Sequence, residues 1–281
     1  MLKNGYNLAI FSLVALNSFF LYLNFGSAAS SSALYFLDVG QGDSILFVAR
    51  DGMKILTDAG PTSKIEQSLG NVLGNDHYFD LGIITHQQLD HFNGFNFLFK
   101  TRSFGALLFN GRTDRDIREW KLLVAAAKEN NIPMIPVGAG DRIKSNDAVI
   151  QIISPNSNFV QSGEWNDTGI VELVKTTDFS ALLTADIGLN LEAAIAKLNI
   201  KADILKVGHH GSKTSSGDVL LQAVEPKVAG IEVGEKNTYR HPTKEALDRI
   251  GKYTSYIYRT DQNGTIKITS NGGKLQIFTE K

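Results

Sequence analysis

Two histidines and a carboxylate occur together in residues 85–91, which read Thr-His-Gln-Gln-Leu-Asp-His. The side chains concerned are His86, Asp90 and His91. Imidazole nitrogen and carboxylate oxygen form the ligand mixture that zinc and similar divalent ions take in proteins. An apolar run, residues 81–84, precedes them and predicts a buried strand, so these side chains lie in the turn where a strand ends. The alternative is a polar loop that happens to contain histidines.

Three further apolar runs end in side chains that are able to bind a metal. The runs are residues 54–57, 181–184 and 204–207, and the side chains that follow them are Asp58, Asp186 and the pair His209 and His210. In layered α/β folds, ligands and catalytic groups gather at the carboxyl ends of strands, so we expect these side chains to face one crevice. His241 lies in a turn before Pro242, whereas His77 lies at none of these positions.

The order of the predicted elements is typical of one large layered domain. The chain has 281 residues, of which 43% are hydrophobic, and this is enough for a sizeable core. Helices are predicted over residues 63–73, 114–130, 190–198 and 243–250, and Ser63 with Glu66 matches a capping box. Two sets of strands, with helices between and after them, fit a sandwich of two sheets flanked by helices.

Two features could bind phosphate or nucleic acid, and each also has a simpler explanation. The turn at Gly40 and Gly42 could hold a phosphate, but no Lys-Ser or Lys-Thr pair opens a helix after it, so a P-loop is excluded and tight turning of the backbone is favoured. The predicted helix over residues 114–130 mixes basic and acidic side chains, which is typical of a solvated face. The net charge of −1 gives no global attraction for DNA.

Residues 1–32 predict a transmembrane anchor or a signal peptide, followed by a short linker. Residues 8–25 are almost wholly apolar and approach the ~20 residues that span a bilayer, but a basic start and a small-residue tail also describe a cleavable signal. A buried first helix is the remaining alternative. Because Lys3 precedes the segment and the next basic residue is Arg50, we expect residues 33–281 outside the cytoplasm, either anchored or secreted. The absence of cysteine excludes disulfides, a thiolate metal site and a cysteine nucleophile.

Seven motifs, taken together, resemble the metallo-β-lactamase-fold domain found at the C-terminus of the ComEC competence protein family and its stand-alone relatives. They are residues 36–44 (Phe-Leu-Asp-Val-Gly-Gln-Gly-Asp-Ser), 57–60 (Thr-Asp-Ala-Gly), 85–91, 183–186 (Leu-Thr-Ala-Asp), 206–215 (Lys-Val-Gly-His-His-Gly-Ser-Lys-Thr-Ser), 241–242 (His-Pro) and 259–265 (Arg-Thr-Asp-Gln-Asn-Gly-Thr). The resemblance implies an α/β fold, namely an αββα sandwich of two mixed sheets over residues 33–281. It also implies a site with one or two divalent ions, zinc or manganese, that hydrolyses phosphodiester or similar bonds with metal-activated water.

The resemblance also implies roles for single residues. One ion would be held by Asp90, His91, Asp186 and one of His209 and His210, and the other by His86, Asp186 and a weaker partner at Gln88. Asp186 would bridge the two ions. The predicted catalytic residues are Asp58, Asp90, His210 and His241. Asp58 would orient a ligand histidine, and His241 would contact a phosphate or protonate the leaving group, unless it is a turn histidine with no role.

Gln88 departs from the family pattern, since relatives usually have His or Asp there, and a neutral amide oxygen is a weaker metal ligand. Three alternatives remain: a two-metal hydrolase with one weak site, a one-metal hydrolase centred on Asp90 and His91, or a domain that binds without catalysis. A hydrolase of another ester class is a further alternative. The family acts beside a DNA channel, so the expected partners are DNA or another phosphodiester, the membrane through residues 8–25, and a separate DNA-uptake channel protein. We expect the catalytic domain itself to be monomeric.

Overall fold

Two mixed β-sheets face each other in the computed structural model, which describes residues 31–156, 158, 160, 161 and 163–281. The strands of the first sheet are β1 (Ala33–Phe36), β2 (Ile45–Val48), β3 (Lys54–Thr57), β4 (Tyr78–Ile84), β5 (Ser103–Phe109), β6 (Met134–Pro136), β14 (Ile266–Asn271) and β15 (Lys274–Thr279). Their order is β15-β14-β1-β2-β3-β4-β5-β6. Strands β3 to β6 run parallel to one another, and the remaining pairs are antiparallel.

The second sheet contains the middle of the chain. Its strands are β7 (Arg142–Lys144), β8 (Ala148–Ser154), β9 (Val171–Thr176), β10 (Ser180–Leu183), β11 (Ile204–Lys206), β12 (Val228–Ile231) and β13 (Tyr256–Arg259), in the order β13-β12-β11-β10-β9-β8-β7. Strands β10 to β13 are parallel, and β7 to β10 are antiparallel. Each sheet therefore has a parallel half and an antiparallel half.

Helices cover the outer faces of both sheets. They are α1 (Lys64–Leu73), α2 (Leu89–Phe92), α3 (Phe95–Leu98), α4 (Arg118–Glu129), α5 (Leu189–Ala196), α6 (Asp218–Val224), α7 (Lys244–Ile250) and α8 (Thr260–Asn263). Apolar residues of α1 to α4 pack on the outer face of the first sheet, and those of α5 to α7 pack on the second. The layers are therefore helices, sheet, sheet, helices, which confirms the predicted sandwich.

A third group of apolar side chains fills the space between the sheets. In the first sheet these include Leu34, Phe36, Phe47 and Ile83, and in the second Ile150, Val174, Leu183 and Ile204. Each fully buried side chain of this size stabilises the fold by about 1.5–3 kcal/mol. Because side chains alternate along a strand, every second residue of β9 and β11 points into this layer. Polar residues in phase with these positions are therefore buried between the sheets.

One predicted helix start and one predicted capping box are wrong. Helix α4 begins at Arg118, not at residue 114, because the Asp114 carboxylate is held by the Arg112 guanidinium at 2.6 and 2.9 Å. The capping box of α1 does not form either. Ser63 has helical backbone angles, and Glu66 N donates to its carbonyl oxygen instead of to its side chain.

The predicted anchor or signal segment lies mostly outside the described residues, which begin at residue 31, so it remains a prediction. Within the described part of the chain, no helix combines the length and the apolar character needed to cross a membrane.

Candidate metal centre

The ends of two pairs of neighbouring parallel strands form the site. In the first sheet, β3 pairs with β4, with Thr57 opposite Ile83. In the second, β10 pairs with β11, with Leu183 opposite Lys206. Since parallel strands end at the same edge of a sheet, the loops that follow these four strands meet. The structure thereby brings together the predicted residues Asp58, His86, Asp90, His91, Asp186, His209 and His210.

The backbone leaves these strands through left-handed conformations. Asp58 has a φ of 56°, Ala185 of 46°, His209 of 47° and His210 of 54°. Such angles cost free energy in residues other than glycine and persist where the surroundings impose them. Here they turn the chain sharply, so that the adjacent rings of His209 and His210 lie at 70° to each other. His210 is thereby buried, whereas the side chain of His209 is 33% exposed at the rim.

The Nδ1 atom of each buried histidine has a specific neighbour. His91 Nδ1 lies 2.7 Å from Asp58 Oδ2, and His210 Nδ1 lies 2.9 Å from the carbonyl oxygen of Glu232. A carbonyl only accepts, so His210 carries its proton on Nδ1. The Thr85 hydroxyl donates to Asp58 Oδ2 at 2.7 Å, which leaves its oxygen to accept from His86 Nδ1 at 3.0 Å. These contacts favour the tautomer that leaves Nε2 free to bind a metal.

The opposite sides of the same three rings are buried and converge. Within the described residues, Nε2 of His86, His91 and His210 and both carboxylate oxygens of Asp186 have no hydrogen-bond partner. Buried polar atoms without a partner cost free energy, so a cluster of five calls for a ligand. All five atoms are electron-pair donors in the tautomers described above, which fits a cation.

The spacing of these atoms fits a divalent metal. His91 Nε2 and His210 Nε2 lie 3.3 and 3.5 Å from Asp186 Oδ2, and His210 Nε2 lies 3.4 Å from Asp90 Oδ2. Two ligands of a tetrahedral zinc ion, each at 2.0–2.1 Å from it, are separated by ~3.3 Å. The observed separations therefore match those of atoms that share one ion. His86 offers a further ligand atom within 4.8 Å of His91 and Asp186.

The electrostatics of the site also favour a cation. Burial, together with the neighbouring His91, lowers the pKa of His86 to about 3. Burial alone would lower the pKa of His91 and His210 as well, but Asp186 and nearby aspartates raise both well above their usual value. In turn, these two rings hold the pKa of Asp186 well below its usual value despite its burial. A divalent ion bound by two neutral imidazoles supplies the same positive charge as these two protons.

Gln88 lies at the rim beside Asn166, which follows β8 in the short 3-10 helix Asn166–Thr168. Gln88 Nε2 donates to Asn166 Oδ1 at 2.6 Å, and Asn166 Nδ2 lies 3.3 Å from His209 Nδ1. Two neutral amides therefore connect Gln88 to His209 at the rim of the site. Whether Gln88 and His209 bind metal stays a prediction, but His209 Nε2 is farther from Asp186 Oδ2, at 3.9 Å, than His210 Nε2.

An open cleft of about 520 Å³ leads to these residues. Its walls include Gln41, Asp90, Asn166, His209, His210, Tyr239 and His241. His241 thus lies in the cleft wall, and its ring stacks on that of Tyr239, with centroids 5.9 Å apart. Burial and the neighbouring His209 and His210 lower the pKa of His241, so its ring is neutral at neutral pH.

Three further charged residues lie under the site and were not assigned a role from the sequence: Asp43, Lys206 and Glu232. Asp43 directly follows the glycine turn, and a Cβ at Gly42 would lie 2.3 Å from the carbonyl oxygen of Asp90. This close approach supports the explanation that the glycines let the backbone turn against the metal loop, residues 85–91. The signal for Lys206 was its place inside an apolar strand, where an unpaired charge is costly.

The two facing sheets, the outer helices and the strand-end histidines and aspartates define a metallo-β-lactamase-fold protein. Solved structures show the same fold. The metallo-β-lactamase fold protein YhfI from Bacillus subtilis superposes with a TM-score of 0.54 at 11% identity, covering 82% of this chain and 96% of that one. CmlA, a diiron β-hydroxylase from Streptomyces venezuelae, gives 0.55 at 14% identity, covering 82% and 53%. At these identities the similarity concerns the fold alone.

Sequence comparison then identifies the chain as resembling competence proteins of the ComEC type. It is 30% identical to ComE operon protein 3 of Bacillus subtilis over 270 residues, 88% of this chain and 34% of that protein. It is 29% identical to Recombination protein 2 of Haemophilus influenzae over 246 residues, 86% of this chain and 29% of that protein. The chain thus spans about a third of the length of these relatives. No protein-family model matches the sequence.

Proposed function

We propose that the chain is a metal-dependent hydrolase that cleaves phosphodiester bonds, with nucleic acid as its substrate. The observation that carries the proposal is the cluster of five buried nitrogen and oxygen atoms of His86, His91, His210 and Asp186 beside an open cleft, which lack a hydrogen bond within the described residues. Such a cluster fits a divalent ion, and the cleft admits a substrate of the size of a nucleotide.

The ion would be held by His91, His210 and Asp186, with Asp90 and His86 at its sides. In this position the residues would let zinc or manganese lower the pKa of a bound water and stabilise the charge that develops on a phosphoryl oxygen. The contribution of Asp58 is to fix the ring of His91 through Nδ1. Such outer contacts set the orientation and basicity of a ligand histidine.

The cleft wall supplies donors for phosphate oxygens. Asn166 and Gln41 carry amide N–H groups, and His209 and His241 carry ring N–H groups. Burial lowers the pKa of both histidines, so at neutral pH they bind phosphate as neutral donors. A neutral His241 serves this contact better than it serves protonation of a leaving group.

Two observations favour nucleic acid within the class of phosphodiesters. Tyr239 is 66% exposed, lines the cleft and is backed by the ring of His241, which is the arrangement of a platform for a nucleobase. The named relatives are competence and recombination proteins. A role in DNA uptake would require a DNA-channel partner.

The second candidate is a domain that binds without catalysis, and the amide pair Gln88 and Asn166 favours it. A hydrogen bond of 2.6 Å joins the two amides, so their strongest contact is with each other. Neutral amides are weak metal ligands, and a phosphodiesterase that requires two ions would then lack one of them.

Purified protein supplied with Zn²⁺ or Mn²⁺ tests the two candidates. Single-stranded DNA, double-stranded DNA, RNA and a nitrophenyl phosphodiester are the substrates, and the metal content is measured after dialysis. We expect cleavage by the wild type and by His77→Ala, an exposed histidine remote from the site, and at least a 100-fold loss in His91→Ala and Asp186→Ala. Normal turnover in either site variant would refute the assigned site. Metal binding without turnover would support the second candidate, and activity on thioesters or lactams alone would refute the phosphodiester assignment.

We further propose that residues 33–281 lie outside the cytoplasm, behind an anchor or signal in residues 1–32. The charge pattern around residues 8–25 supports this orientation. A protease added to intact cells should then reach the domain. Protection in intact spheroplasts with digestion after lysis would contradict it, and the size of the mature protein distinguishes an anchor from a cleaved signal.

A further inference from the structure

Lys206 is a fully buried lysine at the base of the metal centre. It is the last residue of β11, in phase with Ile204, so its side chain enters the layer between the sheets. Its exposed fraction is 0%. The ammonium group contacts Asp43 Oδ2, lies 2.7 Å from the carbonyl oxygen of Ala185 and lies 3.5 Å from Asp186 Oδ1.

All three neighbours of the ammonium group are oxygen acceptors. A protonated lysine carries three N–H donors and no acceptor, so the surroundings fit the charged form. Two carboxylates and a backbone carbonyl are also the ligands that hard divalent cations take. Asp43, Asp186 and His210 in fact offer ligand atoms within 4.8 Å of one another, which is the spacing of a metal site.

We propose that Lys206 is an internal cation that takes the place of a metal ion on Asp43 and Asp186. The ammonium group occupies Asp43 Oδ2 and faces Asp186 Oδ1. Asp186 Oδ2 then remains for the exchangeable ion, together with Nε2 of His91 and His210, 3.3 and 3.5 Å away. The Asp43, Asp186 and His210 cluster is therefore closed to metal in this chain. The ammonium group beside Asp186 Oδ1 is a positive charge that a chelator cannot remove.

This assignment concerns the proposed metal centre, but it rests on the contacts of Lys206 with Asp43 and Asp186 and not on the proposed substrate. It also differs from an ordinary buried ion pair, which would balance charge without affecting metal binding. If Lys206 stands where a cation would, its neutral replacement should create a new binding position of oxygen ligands. That position should prefer a hard ion such as Mn²⁺ or Mg²⁺.

The test is Lys206→Met, which keeps an unbranched side chain one atom shorter than lysine and removes its charge. Metal content is measured after dialysis from Mn²⁺, and the thermal midpoint is measured with and without Mn²⁺ or Mg²⁺. We expect one more equivalent of Mn²⁺ in Lys206→Met than in the wild type, and a larger rise of its thermal midpoint on adding Mn²⁺ or Mg²⁺. Lys227→Met is the matched control, since Lys227 is an exposed lysine paired with Asp203 at 2.7 Å, and it should behave as the wild type.

A double variant identifies the ligands. Lys206→Met combined with Asp43→Asn removes a carboxylate together with the ammonium, so the additional equivalent and the additional metal-dependent rise should both disappear. Equal metal content and equal thermal shifts in Lys206→Met and the wild type would overturn the inference. A wild type without metal beside a variant with one equivalent would refute the proposed function and leave the inference standing.

The variant could fail to fold because it leaves two buried carboxylates without their cation. Lys206→Gln, which retains N–H donors, is then the second variant. Recovery of the fold by either variant in Mn²⁺ supports the inference. Failure of both to fold with Mn²⁺ would overturn it, because a divalent ion must be able to replace the ammonium group.

Discussion

Glu172 is a carboxyl group buried between the two sheets next to Asp58, and its protonation should control how stability depends on pH. It lies on β9, and its Oε1 accepts a hydrogen bond from the Thr57 hydroxyl of the opposite sheet at 2.9 Å. Burial raises the pKa of Glu172 from 4.5 to about 8. The Thr57 hydrogen bond opposes this shift, and the charge on Asp58 adds to it.

The sign and size of the effect follow from proton linkage. Below pH 4.5 both the folded and the unfolded chain hold the proton, so the group has no effect there. Between pH 4.5 and about 8 only the folded chain holds it, and the free energy of unfolding falls by about 1.4 kcal/mol per pH unit. Above pH 8 neither chain holds the proton, so Glu172 no longer changes the free energy of unfolding as the pH rises. The total loss is on the order of 5 kcal/mol, a large part of the 5–15 kcal/mol that stabilises a typical domain.

Glu172→Gln should remove this loss, because the amide is neutral at every pH and its oxygen still accepts from Thr57. Urea unfolding in the presence of a chelator, at pH 5, 6, 7 and 8, gives the free energy of unfolding of both proteins. We expect the variant to gain stability relative to the wild type by on the order of 3–4 kcal/mol between pH 5 and pH 8. Contributions from other titrating groups cancel in this difference.

Glu225→Gln is the control, since Glu225 has an exposed side chain paired with Lys201, and its curve should run parallel to that of the wild type. A difference between Glu172→Gln and the wild type that stays constant from pH 5 to 8 would refute the reasoning. It would mean that the buried carboxyl is ionised in the folded chain over this range.

Three further predictions concern the metal centre. Asp58→Asn should weaken metal binding about 10–100-fold because His91 loses the carboxylate at its Nδ1. Asp76→Asn, which changes an exposed ion pair, should leave metal binding unchanged. A competition titration with a chromogenic chelator measures the metal affinity of both variants. Gln88→Asp should raise the amount of metal retained after dialysis and lower the metal concentration needed for half-maximal activity. If the activity of the variant depends on metal concentration as in the wild type, residue 88 lies outside the coordination sphere. Binding of Zn²⁺ at pH 6 to 7 should release about two protons per ion, because the candidate ligands His91 and His210 have raised pKa values, so apparent affinity should rise with pH. Calorimetry in two buffers of different ionisation enthalpy counts these protons, and a count near zero would contradict the raised pKa values of the two rings.

The positions of the main candidate ligands could be predicted because their signals are local. An apolar run followed by Asp58 or Asp186 indicates the end of a buried strand and a carboxylate within three residues of it. Helix starts were less predictable because competing local contacts decide them. Asp114 could have capped a helix, but the Arg112 guanidinium holds its carboxylate, and α4 begins four residues later.

The charged residues under the site could not be assigned from sequence because their partners come from distant parts of both sheets. Lys206 lies in phase with Ile204, so alternation alone predicts that its side chain is buried, but not which carboxylate neutralises it. In the structure the Lys206 ammonium group contacts Asp43, in the turn before β2, and Asp186, which follows β10. Since burying an ammonium group is costly unless it is paired, a lysine inside an apolar strand indicates a buried carboxylate cluster. In a chain whose other strand ends carry candidate metal ligands, that cluster is best sought at the candidate metal centre, where we propose that a fixed charge alters what the neighbouring carboxylates can bind.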